Sequence, residues 1–150
     1  MDTRIFLLAD DDMDDRDMFC EALEEIDKNI FCHTAENGRD ALSLLNKLPI
    51  HPQLIFLDIN MPVLNGWQCL EKIKNEGQYD TIPVIIISTS SHQREMDIAK
   101  KLGAICYFTK PHDFDALKDI LHAIASNIGP GLISTLKNLE THKPEYIRAL

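Results

Sequence analysis

Asp58 closes the apolar run Leu54-Ile55-Phe56-Leu57, and Ile59-Asn60-Met61-Pro62 then turns the chain. A carboxylate held at the tip of a buried strand is suited to be a nucleophile or a metal ligand. Three other apolar runs also end in functional groups. Asp10-Asp11-Asp12 follow Ile5-Phe6-Leu7-Leu8-Ala9, Ser88 follows Val84-Ile85-Ile86-Ile87, and Lys110 follows Ala104-Ile105-Cys106-Tyr107-Phe108-Thr109. Acids, a hydroxyl and an amine at four strand ends suggest a site for a phosphoryl group and a divalent cation. Mg²⁺ (or Mn²⁺) takes oxygen ligands, which Asp10, Asp11, Asp58 and a loop carbonyl just after Asp58 can supply. Three close carboxylates repel one another, and a cation relieves that cost. Phosphoryl transfer needs positioning and charge neutralisation above all. Lys110 offers a cationic donor, and the Ser88 hydroxyl can hydrogen-bond a phosphoryl oxygen.

Each piece alone has a simpler reading. The acidic run Asp10 to Asp17 suits a helix N-terminus. Asp58 can cap a turn, and Ser88-Thr89-Ser90-Ser91 can cap a helix. Lys110 before Pro111 can be a solvated loop residue. The chemical reading rests on all four sites meeting in space, so the elements that carry them matter.

Strand and helix patterns alternate five times. Strands are expected at 4–9, 30–34, 53–58, 83–88 and 104–109. Helical stripes run through Met18, Phe19, Ala22, Leu23 and Ile26, then Ala41, Leu42, Leu45 and Leu48, then Trp67, Leu70 and Ile73. A fourth carries Met96, Ala99 and Leu102, with Ser90 or Ser91 expected as its cap and Gly103 as its stop. A fifth carries Phe114, Leu117, Ile120, Leu121 and Ile124. This pattern predicts an α/β domain, a flavodoxin-like (βα)5 doubly wound parallel sheet of strand order 2-1-3-4-5. That order gathers the ends of strands one, three, four and five at one edge. Gly129-Pro130-Gly131 breaks the last helix, and Leu132, Ile133, Leu136 and Leu139 predict a further short amphipathic helix. The expected division is 1–127 for the domain and 128–150 for a helical extension that packs on the body, dimerises or meets a partner.

A chain of 150 residues can bury a sizeable single core. The net charge of -9 argues against nucleic acid as a partner. No apolar stretch is long enough to span a bilayer, and Asp2 and Arg4 interrupt any signal-peptide pattern, so a cytoplasmic protein without membrane insertion is expected. Cys20, Cys32, Cys69 and Cys106 are far apart in sequence, form no CxxC pair and read as small core residues in a reducing compartment.

The sequence resembles the receiver domain of two-component response regulators. The matching pieces are Leu7-Leu8-Ala9-Asp10-Asp11-Asp12, Ala35-Glu36-Asn37-Gly38 with Ala41-Leu42, Leu57-Asp58-Ile59-Asn60-Met61-Pro62 with Gly66, Pro83-Val84-Ile85-Ile86-Ile87-Ser88-Thr89, and Tyr107-Phe108-Thr109-Lys110-Pro111. They stand in the family's order and spacing from about residue 4 to about 127. Ser88-Thr89-Ser90-Ser91 is also similar to small regulators without an output domain, including those paired with bacterial phytochromes. The resemblance implies that Asp58 accepts phosphate from a phosphohistidine on a sensor histidine kinase or a histidine phosphotransfer protein. It implies Mg²⁺ binding by Asp10, Asp11, Asp58 and the Asn60 carbonyl. It further implies phosphoryl contacts from Lys110 and the Thr89 backbone, a switch made by Ser88 and Tyr107, and a cis Lys110–Pro111 bond. Tyr107 read without the family is a half-buried strand aromatic with a wet hydroxyl. Serine at 88 replaces the more usual threonine, and His112 stands where an aromatic is common.

The expected function is therefore a stand-alone phosphorylation-controlled switch, assisting its own phosphorylation and dephosphorylation but acting on no small substrate. Its output would be a protein contact, with a downstream target or a homodimer, through the face of the helix at 92–102, strand five and the helix at 113–127. A phosphorelay shuttle would use the same residues and is separated by transfer to a histidine phosphotransfer partner. A phosphohydrolase would need an acid where Asn60 stands. An FMN carrier would suffer repulsion between its phosphate and the first acidic loop. A phosphate-independent scaffold would tolerate Asp58→Ala.

Overall fold

The computed structural model describes residues 3–150; Asp2 lies outside the described residues. Five strands, β1 (Arg4–Ala9), β2 (Ile30–Ala35), β3 (Leu54–Asp58), β4 (Val84–Ser88) and β5 (Cys106–Thr109), pair in parallel in the order β2-β1-β3-β4-β5. Between and after them run α1 (Met13–Ile26), α2 (Gly38–Lys47), α3 (Gly66–Asn75), α4 (Gln93–Leu102) and α5 (Phe114–Ala125). This is the expected doubly wound α/β arrangement.

The period-two alternation of the strands divides the core into two layers. Phe6, Leu8, Leu54, Phe56, Ile85, Ile87, Cys106 and Phe108 face α1 and α5. Leu7, Ala9, Ile55, Leu57, Val84, Ile86 and Tyr107 face α2, α3 and α4. β3 and β4 are buried along their whole length, so both faces need apolar side chains until the last residue. At that last residue apolar packing gives way to Asp58 or Ser88.

The C-terminal segment differs from expectation. Helix α6 (Leu132–His142) forms as the pattern predicts, but a sixth strand, β6 (Ile147–Ala149), follows it and pairs antiparallel with β5. The sheet is therefore mixed, and β5 is not an edge strand. A three-residue strand with Arg148 at its centre has too short an alternation to be read from sequence. Its pairing is extended at both ends, where Thr109 N–H donates to the Tyr146 carbonyl at 2.8 Å and Leu150 N–H to the Ile105 carbonyl at 3.1 Å. Leu132, Leu136 and Ile147 are buried in the α1/α5 layer, whereas Ile133 of the expected stripe is 48% exposed.

Three smaller expectations need correction. Neither Ser90 nor Ser91 caps α4; His92 occupies that position without a side-chain cap, because Ser90 is engaged elsewhere. The Lys110–Pro111 peptide is trans, the isomer that an X–Pro bond intrinsically favours. Cys69 and Cys106 are buried core residues, but Cys20 and Cys32 are only partly buried. Among the described residues, no helix is long and apolar enough to cross a membrane.

Leu136 is fully buried. Leu136→Ala is therefore expected to cost about 2–5 kcal/mol in urea unfolding, as for other core leucines. A loss below about 0.5 kcal/mol, the range of surface substitutions, would show that α6 lies outside the cooperative core.

Candidate functional site

The four strand ends meet. Asp10 is held just past β1, where its N–H donates to the Ala35 carbonyl at 3.0 Å and its carbonyl accepts from Arg16 Nη1 at 2.7 Å. Its Oδ1 accepts from Asp12 N–H at 3.0 Å, and Asp12 in turn caps α1 by accepting from Asp15 N–H at 3.0 Å. The acidic run thus does both jobs considered for it, capping a helix and facing the site. Asp58 Oδ1 accepts from Ile59 N–H at 2.9 Å. Asp10 is 1% and Asp58 8% exposed, whereas Asp11 lies at the open side. Carboxylate oxygens of Asp10, Asp11 and Asp58 lie within 4.8 Å of one another.

Lys110 crosses into this cluster. Its N–H donates to the Ser88 carbonyl at 2.7 Å, which aims the side chain back over the sheet edge. Its Nζ lies 2.8 Å from Asp10 Oδ2, 2.9 Å from Asp15 Oδ2 and 3.5 Å from Asp58 Oδ2. Lys110 is no solvated loop residue. Asp15 is a partner that sequence reasoning did not single out; the only signal was its place in the acidic first turn of α1.

Burial raises the Asp58 carboxyl from the ordinary 3.8 to about 7; Lys110 opposes the rise and Asp10 adds to it. Burial disfavours the Lys110 charge, but Asp10, Asp15 and Asp58 more than offset it and hold the ammonium above its ordinary value. The site therefore contains more negative charge than one lysine balances. Hard oxygen donors in such a cluster fit Mg²⁺ or Mn²⁺. Asn60 lies exposed in the bend two residues beyond Asp58, and Thr89 is exposed just past Ser88.

Ser88 and Tyr107 belong to an adjoining network. The buried Ser88 Oγ accepts from Ser90 N–H at 3.1 Å. Tyr107 is fully buried, and its hydroxyl donates to the Ser90 carbonyl at 2.9 Å. The Ser90 hydroxyl donates to Glu95 of α4. Tyr107 thus has no wet hydroxyl, and one backbone turn joins the end of β4 to β5 and α4. Ser90 was expected only as a cap for α4, and Glu95 was not singled out from sequence.

The loop after β3 is fixed by backbone contacts. Gly66 N–H donates to the Ile59 carbonyl at 2.9 Å, and a Cβ on Gly66 would fall 2.2 Å from the Asp58 carbonyl oxygen. Only glycine allows that approach. Val63 in the same loop adopts a φ of 67°, a strained conformation for a β-branched residue.

Comparison with known proteins agrees with this geometry. Residues 6–122 match the family model described as the response regulator receiver domain. Protein PilH of Pseudomonas aeruginosa is 34% identical over 90 residues, 60% of this chain and 73% of PilH. The match with the sensory transduction protein LytT of Oceanobacillus iheyensis spans only 48% of that longer relative. The crystal structure of the phosphorylated cyanobacterial phytochrome response regulator RcpA superposes with a TM-score of 0.78 at 26% identity, covering 85% of this chain and 94% of that one. The Mn²⁺-bound form of response regulator Rcp1 gives 0.71 at 27% identity, covering 82% and 92%.

Two outcomes follow from the site. A protonated Asp58 cannot ligate a cation, so Mg²⁺ affinity is expected to rise with pH through about 7 and to level off above it, as read by calorimetric titration. A pH-independent affinity between 6 and 8 would contradict the raised carboxyl. Gly66→Ala is expected to cost about 1–3 kcal/mol through overpacking and to weaken Mg²⁺ binding by moving Asp58. Wild-type values for both would show that the close approach carries no constraint.

Proposed function

The chain belongs to the response regulator receiver domain family, and on that premise we propose that it is a phosphorylation-controlled switch with Asp58 as the phosphoryl acceptor. The observation that carries this reading is Lys110 Nζ lying 2.8 Å from Asp10 and 3.5 Å from Asp58, inside a cluster of three carboxylates. In the proposed step an Asp58 carboxylate oxygen attacks the phosphorus of a phosphohistidine, the P–N bond breaks, and the histidine nitrogen departs. Asp10, Asp11, Asp58 and the Asn60 carbonyl are the groups that would hold Mg²⁺, which when bound supplies neutralising charge. Lys110 supplies the second cation, exchanging its carboxylate contacts for a phosphoryl oxygen. The Thr89 backbone supplies a further donor.

The Ser88–Ser90–Tyr107 network is the proposed transmitter. A phosphoryl group that draws the Ser88 hydroxyl away from Ser90 N–H favours a different arrangement of that turn, and Tyr107 and α4 respond because both bond to Ser90. Such a change acts by shifting a pre-existing equilibrium, so the protein partner must prefer one state. The proposed output face comprises α4, β5 and α5, with β6 along the outer edge of β5. Residues 1–127 form the receiver in this reading, and 128–150 a helical and strand extension of its surface. The donor is a sensor histidine kinase or a histidine phosphotransfer protein, the setting is the cytoplasm, and nucleic acid is not a partner.

Phosphoryl incorporation from acetyl phosphate and from a phosphorylated histidine kinase tests the proposal, read by intact-protein mass. Wild type is expected to gain one phosphoryl group only with Mg²⁺, and Asp58→Asn none. Equal incorporation in Asp58→Asn, or in the presence of a chelator, would overturn it.

A further inference from the structure

The three carboxylates around Lys110 are not equivalent. Nζ lies 2.8 Å from Asp10 Oδ2 and 2.9 Å from Asp15 Oδ2, the range of good charge-assisted hydrogen bonds, but 3.5 Å from Asp58 Oδ2. Two of the ammonium's three donors are thus spent on acids other than the proposed acceptor. The partners also differ in access to water. The Asp10 and Asp58 side chains are 2% and 11% exposed, and that of Asp15 is 38% exposed. Asp15 is placed by its own helix rather than by the lysine, because it stands in the first turn of α1 and its N–H donates to the capping Asp12 Oδ1 at 3.0 Å. We infer that Asp15 is a positioning residue, which holds the Lys110 ammonium on the α1 side of the unphosphorylated site and is the partner Lys110 gives up to a phosphoryl group. The inference rests on the reading of Asp58 as the phosphoryl acceptor.

Burial decides which contact is released. Taking the ammonium from Asp10 would leave a carboxylate that water scarcely reaches without its counter-charge, which is strongly unfavourable. Asp15 can be rehydrated where it stands, and an ion pair with that much exposure is worth little. Lys110 therefore keeps Asp10 and exchanges Asp15 for a phosphoryl oxygen. Its backbone need not move, since Lys110 N–H is fixed to the Ser88 carbonyl at 2.7 Å. Lys110 and Asp15 border a small cavity of about 30 Å³, lined also by Met18, Phe19, Phe108 and Leu117, which gives the lysine stem room to swing without unpacking the core. Asp15 thus competes with the phosphoryl group for one cation, and the site holds that group less tightly than Asp10, Asp58 and Lys110 alone would.

Titration with beryllofluoride, a phosphoryl mimic, in saturating Mg²⁺ tests this, read by amide NMR spectra. Asp15→Asn keeps the shape and loses the charge, and it is expected to bind about two- to fivefold more tightly than wild type, the worth of a partly exposed ion pair. Asp15→Glu is expected to stay near wild type. In a Lys110→Ala background the gain from Asp15→Asn is expected to disappear, because Asp15 acts through the lysine. Crystal structures of wild type without and with beryllofluoride and Mg²⁺ are expected to show Nζ leaving Asp15 and remaining on Asp10. Unchanged or weaker binding by Asp15→Asn, the same gain without Lys110, or an Asp15 contact kept in the beryllofluoride complex would overturn the role of Asp15 and leave the acceptor reading standing. Failure of wild type to bind beryllofluoride would overturn the acceptor reading and this inference with it. The crystal structures decide the matter even if Lys110→Ala binds too weakly to titrate.

Discussion

Three carboxylates with one lysine among them set the terms for the rest of the structure. Asp10 and Asp58 are almost wholly removed from water and lie within reach of each other and of Asp11. Burial disfavours each negative charge, and their mutual repulsion grows as the local dielectric falls. Lys110 cancels part of this cost through Asp10, Asp15 and Asp58. The remaining excess is visible in the raised Asp58 carboxyl. A site in this condition gains from a divalent cation.

The sheet holds these groups in place against that repulsion. Asp58 and Ser88 are the last residues of strands buried on both faces, so neither can retreat without unpacking a layer of the core. Gly66 brings the start of α3 against the Asp58 backbone, and Lys110 N–H ties the end of β5 to Ser88. Ser90, just past the end of β4, is bonded to both Tyr107 and Glu95. β6 lies beside Tyr107, with Arg148 in register with it.

Much of this was legible in sequence because apolar runs ending in Asp, Ser or Lys have few folds open to them. The alternation of such runs with helical stripes gave the strand order, and the order gave the convergence of Asp10, Asp58, Ser88 and Lys110. What escaped depends on orientation rather than on type. Asp15 is one acid in an acidic run, and only the angle of α1 selects it for Lys110. Ile147 to Ala149 carries too few residues to show a strand period, and its pairing depends on the open edge of β5. Ser90 reads as a helix cap until Glu95 and Tyr107 are seen to claim it.

Thermal unfolding of wild type and Asp58→Asn, each with and without Mg²⁺ at pH 8, tests the central claim most directly. Folded Asp58 binds its proton more tightly than the unfolded chain, so its contribution to stability is present at low pH and is lost as pH rises from the ordinary 3.8 through about 7. At pH 8 its charge is therefore a cost. The account predicts that Asp58→Asn melts higher than wild type without Mg²⁺, and that Mg²⁺ raises wild type far more than the variant. A variant that melts lower than wild type without Mg²⁺ and keeps the full Mg²⁺ shift would contradict it.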